Sequence, residues 1–183
     1  KPFLNAIPIG IDKMNITMGY SFSNTLALEL LDIIFTIQIN SKRFQSNQNK
    51  NTIYFKDLFT FLEHVLVVKY FKNKGIDAIQ IIGHFTKNNF SFITKKNLEE
   101  VFGKNAGLLD ILFYHSAINI ESTILQLASF CDKFRLTLID EAHKTFEIEV
   151  LYKIISNLKK IESINKEYPY IEDIEGIRNL FNL

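Results

Sequence analysis

Apolar positions along the chain fall into short runs whose spacing switches between two periods. Lys13 to Met18 is short and extended, Gly19-Tyr20-Ser21 turns the chain, and Asn24 is placed to cap a helix through Leu26, Leu28, Leu30, Leu31 and Ile34. The polar stretch Asn40 to Asn51 reads as a loop and Thr52 to Phe55 as a second strand. Lys56 to Lys74 carries apolar residues at helical spacing (Leu58, Phe59, Leu62, Leu66, Tyr70, Phe71) and stops at Gly75, a usual residue just past a helix end.

Beyond Gly75 the apolar runs become denser. Ile76 to Ile82 predicts a strand ending at Gly83-His84, and Phe85 to Ile93, with Asn88-Asn89 at its centre, predicts a small hairpin. Thr94 caps a short helix closed by Gly103, and Leu108 to Tyr114 (LLDILFY) is apolar enough to be a central strand covered on both faces. Ile120 to Phe130 follows as helix, Phe134 to Ile139 as strand, and Asp140 opens a helix through Phe146, Val150, Leu151, Ile154, Ile155 and Leu158. From Glu162 the chain is charged and weakly periodic. Strands alternating with helices predict an α/β fold: a mostly parallel sheet, with Ile76–Ile82, Leu108–Tyr114 and Phe134–Ile139 as neighbours and helices on both faces. No internal repeat is expected.

Composition limits the function classes. A chain of 183 residues, 47% apolar with 17 Phe and only 10 Gly plus Pro, is expected to fold as one domain over residues 1–183, burying roughly 70% of its unfolded surface. It opens at Lys1 without an initiator Met and is expected to be part of a longer protein. Twenty-one Lys and Arg against twenty Asp and Glu leave +1, with no single basic stripe, so neither nucleic acid nor a membrane surface is an expected partner. One cysteine, Cys131, forms no internal disulfide and no thiolate zinc site, and no apolar run approaches the ~20 residues of a membrane span, which fits a cytoplasmic location.

In a parallel α/β sheet the chemistry gathers at the carboxyl ends of the strands, here after Met18 and at Gly83-His84, His115-Ser116-Ala117 and Asp140-Glu141. The elements IDAIQIIGHF, LLDILFYHSA and FRLTLIDEA, over roughly Ile76 to Leu158, resemble those of the caspase-like cysteine peptidases, especially the CHAT branch, which includes bacterial proteases attached to sensing modules. The resemblance implies a caspase-like three-layer sandwich and a cysteine endopeptidase of bacterial defence, acting on a protein or peptide substrate under a regulatory partner or domain. No cofactor or metal is implied. It places the base at His84, the nucleophile at position 117 and the oxyanion-binding N–H groups at Phe85 and Ala117, within about 6–8 Å between the β-carbons of His84 and Ala117. Asp140 and Glu141 fall near the expected substrate pocket.

Two residues depart from that pattern. Ala117 cannot attack a carbonyl, so the chain reads either as a variant with Cys replaced by Ala or as a non-catalytic pseudo-peptidase that binds partners. Phe85 stands where these peptidases usually carry Gly. Plainer readings stand beside the functional ones: His84 as a strand-end residue capping a turn, His115 as a core histidine, Cys131 as a small buried hydrophobe, and Asp140-Glu141 as acids favoured at a helix N-terminus. Ser116 lacks a glycine elbow, and without a G-x-x-x-x-G-K-[ST] loop Asp140-Glu141 makes no nucleotide site.

Overall fold

The computed structural model describes residues 25–48, 52–113, 120–139 and 145–181. About 82% of them are helical, and the two short strands pair antiparallel, so the parallel-sheet sandwich expected from the sequence is not the fold. In chain order the elements are α1 (Leu26–Gln48), β1 (Thr52–Tyr54), α2 (Phe55–Glu63), α3 (Val65–Lys72), α4 (Ala78–Lys87), β2 (Phe92–Thr94) and α5 (Lys95–Phe102). A 3-10 helix (Gly103–Leu112) follows, then α6 (Ile120–Ile139), α7 (Thr145–Glu167) and α8 (Ile174–Leu180).

Each misplaced strand has a local cause. In the run Ile76–Ile82, the Asp77 carboxylate accepts hydrogen bonds from the N–H groups of Ile79 (2.9 Å) and Gln80 (3.4 Å), satisfying first-turn donors and starting α4. The buried residues are then Ala78, Ile81 and Phe85, a helical stripe, while Ile79 is 71% exposed. Phe134–Ile139 is the last part of α6: Leu127, Phe130, Phe134 and Leu138 form a buried stripe, while Leu136 faces outward. Leu108 to Phe113 is buried as expected of a central element, but winds as the 3-10 helix and its end, with Ala106, Leu108, Leu109, Ile111 and Leu112 inward. A short, wholly apolar run carries no period to separate strand from buried helix.

Other expectations hold. Of the strand expected over Thr52 to Phe55, Thr52–Tyr54 is a strand, while Phe55 opens α2. Gly75, with φ of 72°, follows the end of α3 in the left-handed region where a side chain would be strained. Thr94 caps α5 through a reciprocal box: its Oγ1 accepts from the Asn97 N–H (3.3 Å) and Asn97 Oδ1 accepts from the Thr94 N–H (2.9 Å). The polar stretch expected as a loop from Asn40 instead extends α1 through Gln48. The helix expected over Lys56–Lys74 breaks at His64, whose extended backbone ends α2 and whose imidazole caps α3. The expected strand at Lys13–Met18 and the helix start at Asp140 lie outside the described residues.

Helix α1 runs through the middle, touching β1, α2, α3, the 3-10 helix, α7 and α8. Leu31, Ile34, Phe35 and Ile37 are buried on several sides of it, and the buried Gln38 side-chain amide donates to the Ile111 carbonyl. Ion pairs Lys42–Asp173 (3.0 Å) and Arg178–Asp32 (2.6 Å) tie α8 to α1. Helices α6 and α7 pack along one another, and aromatic contacts Phe61–Phe130 (6.2 Å) and Tyr70–Phe134 (4.9 Å) seat α6 on α2 and α3.

Candidate functional site

The pairing of β1 with β2 joins two similar units. Each has a helix, then a three-residue strand and a second helix: α1–β1–α2 and α4–β2–α5. The register sets Thr52 opposite Thr94, Ile53 opposite Ile93 and Tyr54 opposite Phe92. Windows of twelve residues closing on the third residue of each second helix, 46–57 and 86–97, put both strands at positions seven to nine and both helix starts at position ten. Ile53 and Ile93 share position eight, 40 residues apart, and both are buried. A helix, a twelve-residue loop and a helix is the plan of the EF-hand, whose calcium ligands come from positions one, three, five, seven, nine and twelve.

These side chains do not fit calcium. A calcium loop needs oxygen ligands, mostly carboxylates, with a bidentate Glu at position twelve and Gly at six. Positions one, three, five, nine and twelve hold Ser46, Gln48, Lys50, Tyr54 and Asp57 in the first loop, and Thr86, Asn88, Phe90, Thr94 and Asn97 in the second. The second loop contains no carboxylate, and the first has a lysine at a ligand position.

Protein contacts occupy the same positions. Asn97 and Thr94 are engaged in the helix cap, Asn88 donates to the His84 carbonyl (2.8 Å), and the Phe90 ring packs edge-on against buried Phe85 at 5.7 Å. Asn89, at φ 53°, makes the sharp turn, and the Phe55 N–H donates across the sheet to the Ser91 carbonyl (3.1 Å). In the first loop Asp57 accepts from Asn40 (2.9 Å) and Ser41 donates to the Thr52 carbonyl (3.1 Å). Among the described residues, no group of three or more His, Cys, Asp and Glu stands close enough to hold a metal.

The site expected from the sequence is not assembled in the described part of the molecule. His84 lies on the exposed side of α4, its Nε2 3.4 Å from the Asn88 amide and its ring edge-on to Phe85. Phe85 is a core residue whose N–H lies within the helix, so it is not an oxyanion donor. Ala117, Asp140 and Glu141, together with His115 and Ser116, lie outside the described residues. Cys131 is buried as expected, and burial pushes its thiol up to about 12, which disfavours the nucleophilic thiolate at neutral pH.

The buried imidazole in the described residues is His64. Its Nδ1 accepts from the Leu66 N–H (3.3 Å), and its Nε2 has no hydrogen-bond partner and stands 3.8 Å from Glu29. Burial lowers its pKa below the usual histidine value, against the opposing pull of Glu29 and Glu147. Glu147 meanwhile accepts from the N–H groups of Leu26 (3.2 Å) and Ala27 (3.1 Å), closing the start of α1. This cluster holds helix ends together. An open cleft of about 200 Å³ lies between the 3-10 helix and α6, lined by Gly107, Asp110, Gln126, Ser129 and Lys133 among others, and Asp110 is paired with Lys95 at 2.8 Å.

No protein-family model matches this chain, and no curated protein or solved structure is significantly similar to it. Among the described residues no helix is long and apolar enough to cross a membrane. The paired loops escaped the sequence reading because the acidic residues that announce such loops are missing. The signal that remained was the repeated offset from Ile53 and Ile93 to the following helix starts.

Proposed function

We propose that this chain is a protein-interaction module built on a pair of helix–loop–helix units that hold their shape without calcium. The observation that carries the reading is the pairing of β1 with β2, each leading directly into a helix, in windows whose ligand positions hold a helix cap, a packed phenylalanine and, in the sequence, a lysine. The described residues support binding better than turnover: the thiol is buried, His64 is engaged at a helix start, and exposed His84 has no oriented acid beside it. The peptidase reading, and its pseudo-peptidase alternative, drew their support from the strand ends of a parallel sheet and lose that support with it.

Thermal unfolding in chelator and in 1 mM calcium tests the reading. A loop binding calcium at about 10 μM would gain ~2.7 kcal/mol at that concentration and raise Tm by several degrees. The expected result is superimposable melts. A calcium-dependent rise of several degrees would contradict it.

A further inference from the structure

Helix α8 is seven residues long, shorter than the ~12–15 that hold a helix on their own, so it is helical because of what it lies on. It lies chiefly on α1. Ile174 and Ile177 are buried, and Phe181, at the end of the helix, sets its ring 6.5 Å from that of buried Phe35 on α1. These three residues stand at i, i+3 and i+7, the anchor spacing of an amphipathic helix laid on an apolar face. Two ion pairs of opposite sense flank the anchors: Asp173 meets Lys42 of α1, and Arg178 meets Asp32. Only one direction of the short helix along α1 satisfies both.

The seat is held lightly. The four charged side chains are 29–41% exposed, so salt screens their pairing, and Arg178 Nε is buried without a hydrogen-bond partner, a cost carried by the seated helix. Buried Asn165 fixes the approach to α8: its Oδ1 accepts from the N–H groups of Tyr170 (3.0 Å) and Ile171 (2.8 Å), and its Nδ2 donates to Glu121 of α6 (2.7 Å). Glu172 and Asp173 are left as the hinge. Two residues reach about 7 Å, enough to lift α8 off α1 but too little to hand it to a second copy. We infer that α8 is the built-in occupant of a docking face on α1, displaced by a partner protein that presents a short amphipathic helix of the same pattern. That pattern is an acid before the first turn, aliphatic residues at i and i+3, a basic residue at i+4 and an aromatic at i+7. The inference goes beyond the paired-loop reading, since its surface lies on α1 and α8.

The test uses the full chain. Hydrogen exchange read by mass spectrometry should show the amides of Ile174–Leu180 opening about tenfold or more faster than those of α1, and faster still as salt is raised. A fluorescent peptide of residues 170–181 then probes the face in trans. A chain carrying Asp173→Lys and Arg178→Glu keeps Lys42 and Asp32 on α1 but repels its own α8, so it should bind the peptide about tenfold more tightly than the parent chain does. The same peptide carrying Ile177→Ser, or carrying Asp173→Lys with Arg178→Glu, should bind that chain about tenfold more weakly. If circular dichroism shows the double variant unfolded, Arg178→Gln alone takes its place with the same expected order. Exchange of α8 no faster than that of α1, equal binding by the two chains, or peptides that bind alike would each overturn the inference. A dimer of the parent chain that the peptide dissolves would assign the face to a second copy and overturn it as well. None of these readouts involves calcium, so their failure with superimposable melts overturns this inference alone, and a calcium-dependent rise in Tm overturns the paired-loop reading alone.

Discussion

Two isoleucines separate the helical structure from the sheet that the hydrophobic pattern first suggests. Ile79 sits in the run Ile76–Ile82 and is 71% exposed, whereas Ile93 is fully buried opposite Ile53. Replacing Ile93 with Ala removes three carbons, worth about 0.8 kcal/mol each in transfer, and leaves a partly relaxed cavity, so a loss of about 2–5 kcal/mol is expected. Ile79→Ala removes little buried surface from an exposed helical position and gains helix propensity, so its effect should stay within about 0.5 kcal/mol. Because Ile53 and Ile93 are in contact, the double Ala variant should depart from additivity by at least about 0.5 kcal/mol. Urea unfolding followed by far-ultraviolet circular dichroism measures all of these. If Ile79→Ala cost 2 kcal/mol or more while Ile93→Ala cost less than 1, the buried and exposed faces would be assigned the wrong way round.

Three further outcomes follow from single contacts. Thr94→Ala removes the side-chain half of the α5 capping box while leaving the Thr94 N–H to Asn97 bond, and should lower stability by about 0.5–2 kcal/mol in the same assay. Because His64 has a folded pKa below its unfolded value of about 6.5, the unfolded chain binds the extra proton first, so its contribution is present above that pH and is lost as pH falls. His64→Asn, which keeps a cap acceptor, should therefore flatten the fall in stability below pH 6.5, and an unchanged slope would remove His64 as the cause. Cys131 should react with a thiol reagent in the native protein only as fast as the fold opens, so a rate insensitive to urea below the unfolding transition would contradict its burial.

Local signals were legible where a residue has one structural use. Gly75 past a helix end, Thr94 at a cap, and Thr52–Tyr54 as a strand were all readable, because each depends on neighbours a few positions away. What misled was apolar density. Leu108 to Phe113 offers no polar face, so its burial was legible and its winding was not. In Ile76–Ile82 the deciding residue was Asp77, whose capping role competes with a strand reading that treats it as an interruption. The partner of β1 was not readable from turn chemistry, since it lies 40 residues away across three helices and is fixed by tertiary packing. His84 drew attention through the Gly83-His84 pair, a signal only if a strand ends there. The likeness of the two segments was faint because the positions that would carry acidic ligands hold capping and core residues.

The most direct test of the account is an NMR measurement of backbone contacts between Ile53 and Ile93 in protein stripped of divalent ions. The account predicts cross-strand nuclear Overhauser effects linking Thr52–Tyr54 to Phe92–Thr94 in chelator, unchanged in position and strength when calcium is added. Cross-strand contacts that are missing in chelator, or that form only with calcium, would contradict the claim that protein contacts alone pair these two strands.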